Sequence, residues 1–296
     1  MLPYFLFIMK DKITIGTRGS RLAQVQAEWV RNEIKKSYKK AIFIKKIKTK
    51  GDTTGSAWEK GFFVKEIEEE LLRGEIDIAV HSMKDLPADL PRGLMIAAVP
   101  KRIEARDVLV SKGNLTLDQL PSKSLIGTSS LRRKAQILTY RPDLCIQDLR
   151  GNLDTRLKRL EEGLVSAIVV AGAGLIRLGW QDRITQIFGG DFLPAAGQGA
   201  LAIEIRSDDR LTKELVEGLN DEDSQVAIEA ERSYLKTLGG GCQVPIGVLA
   251  EVCGNDLAIQ GCQLGRDEKI RRSRIRGERK EAVPLGEKLA KKLMKL

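Results

Sequence analysis

Ser124-Leu-Ile-Gly-Thr-Ser-Ser-Leu-Arg-Arg-Lys-Ala-Gln-Ile-Leu-Thr139 decides the fold class. Residues 124–127 form a short apolar strand, and a helix follows over 131–139, with three hydroxyl residues at the junction where a helix needs caps. The unit recurs on both sides. A strand at 13–16 precedes a helix opened by Ser20, with Leu22, Val25, Trp29 and Ile34 on one face. A strand at 41–47 precedes a helix over 62–73 closed by Gly74. Residues 76–80, 94–99 and 107–111 are further strands. Residues 144–149 lead into a helix near 153–161, 167–170 into the glycine-rich 171–174, and 201–205 is a late strand. Such alternation predicts parallel sheets with helices on both faces. Beyond Asp221 a helix over 224–238 is followed by three glycines, strands near 248–252, 257–264 and 269–276, and a basic helix. The expected architecture is α/β: two doubly wound lobes (1–103 with 200–219, and 104–199) and a small α+β domain (220–296).

The composition agrees with a globular protein. The chain has 296 residues, 42% hydrophobic and 30% charged, which excludes a disordered chain, a collagen and a coiled coil. No apolar run reaches the ~20 residues that span a bilayer. The net charge of +10 invites a nucleic-acid partner, but its distribution does not. Residues 31–50 carry +8, residues 266–296 carry +7, and the remainder carries −5. Three Trp, four Tyr and seven Phe are poor stacking material for bases. Cysteines stand at 145, 242, 253 and 262 beside a single histidine, with no C-x-x-C pair. That pattern gives no structural zinc site and fits reduced thiols in a cytoplasm. Residues 1–9 lack the basic start and cleavage site of a signal peptide and read as a short extension before Met9.

Three strand-to-helix junctions share a chemistry: Gly16-Thr-Arg-Gly-Ser20, Gly127-Thr-Ser-Ser-Leu-Arg-Arg133 and Leu149-Arg-Gly-Asn-Leu-Asp-Thr-Arg156. Each sets hydroxyls or an amide, free backbone N–H groups and arginines at a helix N-terminus, a ready site for anions. The guanidinium fork suits a carboxylate or phosphate. One such junction alone is an ordinary cap; three at the carboxyl ends of strands point to a ligand. None is a Walker A loop or a dinucleotide turn, and Ala171-Gly-Ala-Gly174 reads as tight packing or a turn. Ile76-Asp-Ile-Ala-Val-His-Ser-Met-Lys-Asp-Leu-Pro87 runs an apolar strand into His81, Ser82, Lys84 and Asp85, where a carboxylate can handle protons or stabilise a cation. Gly239-Gly-Gly-Cys-Gln-Val-Pro245 can present a thiol to a cleft. Cys145, Cys253 and Cys262 lie in strand patterns and are expected in the core, and the acidic run 66–70 is expected on a solvated helix face.

Seven segments occur in order: Thr17-Arg-Gly-Ser-Arg-Leu-Ala23, Lys60-Gly-Phe-Phe-Val-Lys-Glu66, Val80-His-Ser-Met-Lys-Asp85, Gly127-Thr-Ser-Ser-Leu-Arg-Arg133, Leu149-Arg-Gly-Asn152, Pro194-Ala-Ala-Gly-Gln-Gly199 and Gly239-Gly-Gly-Cys-Gln-Val-Pro-Ile-Gly247. With them the chain resembles the porphobilinogen deaminase (hydroxymethylbilane synthase) family from about Ile13 to its end. The resemblance implies two lobes like those of type II periplasmic binding proteins plus a third domain. It also implies a cytoplasmic monomer that links four porphobilinogens into hydroxymethylbilane with release of ammonia, on a dipyrromethane cofactor held by a thioether. By motif match Cys242 would carry that cofactor. Lys84, Asp85, Thr128, Ser129, Ser130, Arg132, Arg133, Arg150 and Arg156 would hold it. Arg18, Ser20, Lys60, Phe63, Ser82, Arg177 and Gln198 would meet substrate. Asp85 would be catalytic, stabilising the cation left when ammonia departs and moving protons. No metal, membrane or nucleic acid is implied. The family often has Gly-Gly where Trp58-Glu59 stand here, which alters a segment thought to cover the cleft.

Two other classes compete with the enzyme. A receptor of the periplasmic-binding type would have no use for Cys242 in a glycine loop or for Asp85 in the cleft. A nucleic-acid binder should show a groove-reading helix or an aromatic platform, and neither is present.

Overall fold

A computed structural model describes residues 10–49, 64–239, 245–265 and 269–295. The first lobe begins with β1 (Lys12–Arg18), α1 (Arg21–Lys35), β2 (Ala41–Ile47), α2 (Lys65–Leu72), β3 (Ile78–Ser82) and β4 (Leu94–Ala98). The second holds β5 (Asp107–Ser111), β6 (Leu125–Gly127), α3 (Leu131–Tyr140), β7 (Cys145–Gln147), α4 (Leu153–Glu161), β8 (Ala167–Ala171), α5 (Gly172–Arg177) and β9 (Gln186–Ile187). The chain then returns to the first lobe as β10 (Leu201–Arg206) and α6 (Arg210–Glu217). The third region is α7 (Glu222–Thr237), β11 (Ile246–Cys253), β12 (Asp256–Leu264), β13 (Ile270–Glu278) and α8 (Ala282–Met294).

Alternation predicts parallel sheets, and the sheets are mixed. The first runs β2-β1-β3-β10-β4, the second β7-β6-β8-β5-β9. Within them β1 is parallel to β2 and β3, and β6 to β7 and β8. The strands that arrive from the opposite lobe run against the rest: β10 against β3 and β4, β5 against β8 and β9. A strand entered from the other lobe has no helix to turn it round, so it comes in at the carboxyl ends of its neighbours. Leu201 pairs Ser82, and Asp107 pairs Ala171. The two crossovers therefore meet where ligands bind in α/β sheets. They touch through Ile103 N–H donating to Gly199 O at 3.4 Å. Gly199 has φ +90°, and a Cβ there would stand 2.7 Å from Glu104 O, so only glycine fits.

The helix starts follow from the caps read in the sequence. Ser20 Oγ accepts from Ala23 N at 3.4 Å, Ser130 Oγ from Arg133 N at 3.4 Å, and Asn152 Oδ1 from Thr155 N at 2.9 Å. The buried face of α1 is Ala23, Gln26, Ala27, Val30 and Ile34; of the expected row Ile34 is buried, Leu22 and Val25 are half-buried, and Trp29 is 44% exposed. Small residues let α1 lie close to β1 and β3, and the indole is turned outward. Ala171-Gly-Ala-Gly174 is tight packing, as expected, at the opening of α5 rather than in a turn. A Cβ on Gly172 would stand 2.8 Å from Glu104 Cγ. Cys262 is buried, whereas Cys145 and Cys253 are exposed: β7 is an edge strand and Cys253 ends β11 at a turn.

The third region is the antiparallel meander β11-β12-β13 covered by α7 and α8. Tyr234, Val248, Leu257, Ile259 and Leu289 form its core, each contributing about 1.5–3 kcal/mol by burial. Gly286 lets α8 approach the backbone of α7 at Ala230. No helix among the described residues is long and apolar enough to cross a membrane.

Candidate active site

The carboxyl ends of β1, β3, β6, β7 and β8 and both crossovers surround one cleft. On the first lobe, a cavity of about 60 Å³ is lined by Arg18, Ser20, Gln26, His81, Ser82 and Asp85 among others. Gln26 Nε2 donates to Ser82 Oγ at 2.9 Å and fixes the end of β3. A short helical turn over Met83–Asp85 then lifts Lys84 and Asp85 toward the second lobe. Arg18 Nη1 stands 4.0 Å from Asp85 Oδ2. Lys84 Nζ donates to Gln198 Oε1 at 3.4 Å, and burial pushes its ammonium down to about 8 although Asp85 opposes this.

On the second lobe, Thr128, Ser129 and Ser130 form the β6–α3 turn, where Ser130 N–H donates to Thr128 Oγ1 at 3.2 Å. Arg132 and Arg133 are buried and already hold a carboxylate of the chain. Arg132 Nη1 reaches Asp107 Oδ2 at 2.5 Å and Leu193 O at 2.7 Å. Arg133 Nε and Nη2 reach Asp107 Oδ1 at 2.9 and 2.7 Å. Gln198 Nε2 adds a 3.0 Å bond to the same oxygen. Burial alone would raise the pKa of Asp107, but the two guanidiniums outweigh it and hold the carboxyl well below the usual range. Two cations against one anion leave this knot positive.

Arg150 Nε bonds Asp148 Oδ2 at 3.1 Å, Arg156 Nε bonds Gly151 O at 2.9 Å, and Arg177 Nη2 bonds Gly199 O at 2.9 Å. Burial pushes Arg156 and Arg177 down to about 10, and the charge of Arg133 adds to the effect on Arg156. A guanidinium easier to deprotonate than usual has lost water without gaining a matching carboxylate. The cleft is thus a cationic space, half-buried at Arg156 and Arg177 and open at Arg150 and Asp85, which suits a ligand carrying several carboxylates. A larger cavity of about 630 Å³ lies elsewhere, between β4 and α7. Of the residues proposed from sequence none lines it, so chemistry rather than volume locates the site.

Lys60, Phe63 and Cys242 lie outside the described residues, as do Trp58 and Glu59. The rest of the sequence-derived set comes together around the cleft. The sequence reading missed the residues that anchor it. Asp107 opens the apolar run Asp-Val-Leu-Val-Ser, and an acid at the head of a buried strand was a signal. Glu204 interrupts Leu-Ala-Ile-Glu-Ile in the same way. Glu231 on α7 bonds Arg102 Nη1 at 2.6 Å and the backbone N–H of Gly197 and Ala250 at 2.7 and 2.9 Å, tying both crossovers to the third region. The acidic run 66–70 is not wholly solvated, since Glu68 is buried.

Residues 13–214 match the family model "Porphobilinogen deaminase, dipyromethane cofactor binding domain", and residues 225–295 match its C-terminal domain. The chain belongs to the porphobilinogen deaminase family. A porphobilinogen deaminase from Pelotomaculum thermopropionicum is 48% identical, covering 97% of this chain and 95% of the relative. One from Geobacillus kaustophilus is 54% identical over 81% of this chain and 80% of the relative, and one from Thermus thermophilus 48% over 95% of each. Among solved structures, an ancestral cationic amino acid solute binding protein superposes with a TM-score of 0.47 at 13% identity, covering 71% of this chain and 88% of that one.

Proposed function

We propose that this cleft deaminates porphobilinogen and joins four units head to tail into linear hydroxymethylbilane, on a dipyrromethane primer attached to Cys242. Membership of the porphobilinogen deaminase family, with its cofactor-binding domain over 13–214, is consistent with the activity and the cofactor. The observation that carries the assignment to this site is the gathering of Lys84, Arg156 and Arg177, cations matched by no bonded carboxylate, on the same cleft as the half-exposed Asp85. Each porphobilinogen brings an acetate and a propionate, so a chain growing in the cleft brings many carboxylates.

The residues present fit the primer. Lys84, Arg156 and Arg177 offer charge that no carboxylate of the chain matches in the described bonds, and the hydroxyl residues Thr128, Ser129 and Ser130 stand at a helix start. Bound dipyrromethane supplies the ring carbon to which the first porphobilinogen is joined. Arg150, Arg156, Thr128, Ser129 and Ser130 bind side-chain carboxylates on the second lobe. Arg132 and Arg133, with two and three of their N–H contacts committed to the protein, hold the positive end of the knot against them. Arg18, Ser20, Ser82 and Arg177 orient the incoming unit, with Lys60 and Phe63, while Gln198, expected to meet substrate, has its amide spent on Lys84, Ala105 and Asp107 and holds Lys84 in place. Asp85 stabilises the cation that forms as ammonia leaves and takes the proton shed by the attacking carbon. Anchoring the growing chain removes the cost of recapturing it at each addition. The same reading takes the protein as a cytoplasmic monomer divided at 103/104, 199/200 and 219/220.

Intact-mass spectrometry of purified protein tests the attachment. An adduct of two linked pyrrole units is expected, absent from Cys242→Ala; an unmodified, fully active protein would discard it. Arg150→Leu or Arg132→Leu is expected to stall assembly at a defined number of rings, seen as a ladder of enzyme-bound masses. Release of hydroxymethylbilane at the unmutated rate would remove these arginines from the binding set.

A further inference from the structure

Under the floor of the Asp85 cavity lies a group of titratable side chains that the chemistry above leaves idle. Ala79 of β3 packs with Ile67 and Leu71 of α2. His81, two residues on, leaves β3 by the same face. Glu204 of β10 stands opposite Ala79 in the antiparallel register and shares that face. His81 Nε2 and Glu204 Oε2 are hydrogen-bonded at 3.1 Å, with side chains 2% and 0% exposed. Glu68 of α2 closes over them and is itself buried. Glu68 Oε1 and Glu204 Oε1 are both buried without a hydrogen-bond partner among the described residues.

Two carboxylates cannot both be ionised in so dry a place without a strong cation beside them. The charged groups facing the cluster are few. Arg232 of α7 feels Glu204 from the far side, and Asp85 and Arg18 stand across the cavity that His81 also lines. Burial, reinforced by the charge of Glu204 and opposed by His81, raises Glu68 to about 7. Glu68 is therefore the carboxyl of the cluster that keeps a proton into the neutral range.

We propose that Glu68, Glu204 and His81 form a buried proton acceptor serving Asp85, with His81 as the positioning residue between cavity and carboxylates. The proposal rests on the reading of the cleft given above. In each addition the C–N bond breaks and ammonia leaves with the bonding pair. The attacking ring carbon forms the C–C bond and then sheds its proton. That proton passes to Asp85, then to Nδ1 of His81 while Nε2 passes its own to the Glu204–Glu68 pair; before the next addition the pair returns a proton to Nε2, Nδ1 gives its own back to Asp85, and the half-exposed Asp85 releases it to solvent. Asp85 is thus cleared at once within each of the four additions, and the pair discharges through it between them.

The single histidine makes the test direct. In holoenzyme labelled with ¹⁵N-histidine, the one imidazole should report a transition near pH 7 as Glu68 ionises. In Glu68→Gln that transition should vanish or move by at least one pH unit, and the acid limb of the kcat–pH profile for ammonia release should move with it. Glu68→Asp should restore part of both. Where Glu68→Gln fails to fold, Glu204→Gln, which removes the other carboxylate of the pair, takes its place with the same readouts. An imidazole titration identical in wild type and variant overturns the proposal, as does a displaced titration with an unmoved kcat profile. Wild-type protein that does not turn over porphobilinogen would sink the cleft reading instead, and the imidazole titration, which needs no turnover, would then decide the cluster alone.

Discussion

Asp85→Ala is expected to lower turnover of porphobilinogen by about a hundred- to ten-thousand-fold while the pyrrole adduct on the protein still forms. Asp85 sits on the short turn after β3, 36% exposed, with Arg18 as its near cation at 4.0 Å. It is not part of the buried ion-pair framework, so its loss should leave the fold intact. What disappears is the carboxylate that faces the developing cation and receives a proton. Single-turnover measurement of ammonia release, with circular dichroism as the check on folding, separates the step from binding. Asp85→Glu should recover part of the rate, because charge is kept and only its position shifts. Near-normal release by Asp85→Ala would take the residue out of the mechanism.

Asp107→Asn carries the largest expected effect on stability, a loss of about 3–5 kcal/mol. The amide would leave Arg132 and Arg133 facing each other under the β6–α3 turn with no anion between them. The pH dependence follows from the direction of the Asp107 shift. A carboxyl held below its unfolded range contributes stability above about pH 4, which is lost as the pH falls through the lower folded value. Wild-type protein should lose stability on acidification below about pH 4, and Asp107→Asn should show a flatter acid limb from a lower plateau. Urea unfolding at pH 7 and at pH 3.5 measures both. A loss under about 1 kcal/mol at pH 7 would mean the guanidiniums find other partners.

The sequence disclosed the strand-to-helix junctions because their signals are local. Ser20, Ser130 and Asn152 cap helices where their hydroxyl and amide groups predict, and the arginines beside them arrive at one cleft. It disclosed strands by their β-branched runs, and β2 at Ala41–Ile47 agrees residue for residue. It could not disclose strand direction, because direction depends on which lobe a strand enters from. Nor could it show what the arginines hold: Asp107 is twenty-five residues from Arg132 in sequence and 2.5 Å away in space. The outward turn of Trp29 and the burial of Glu68 are likewise tertiary outcomes that override a local pattern. Both arise where a helix meets a sheet whose neighbours come from distant parts of the chain.

The insertion of β10 between β3 and β4 also orders events during synthesis. The second sheet is assembled from residues 107–187 without interruption, whereas the first sheet has a gap between its third and last strands until residues 201–206 emerge. A sheet with a missing inner strand leaves two unpaired edges. On the ribosome the second lobe should therefore become protease-resistant first, although its sequence is translated later than that of β1 to β4. Chains stalled near residue 220, with β9 outside the ribosome and β10 still within it, should yield a protected fragment from the middle of the protein, and chains stalled past 240 a protected first lobe as well. Protection of residues 10–98 at the earlier stall would show that the four early strands close a sheet without β10.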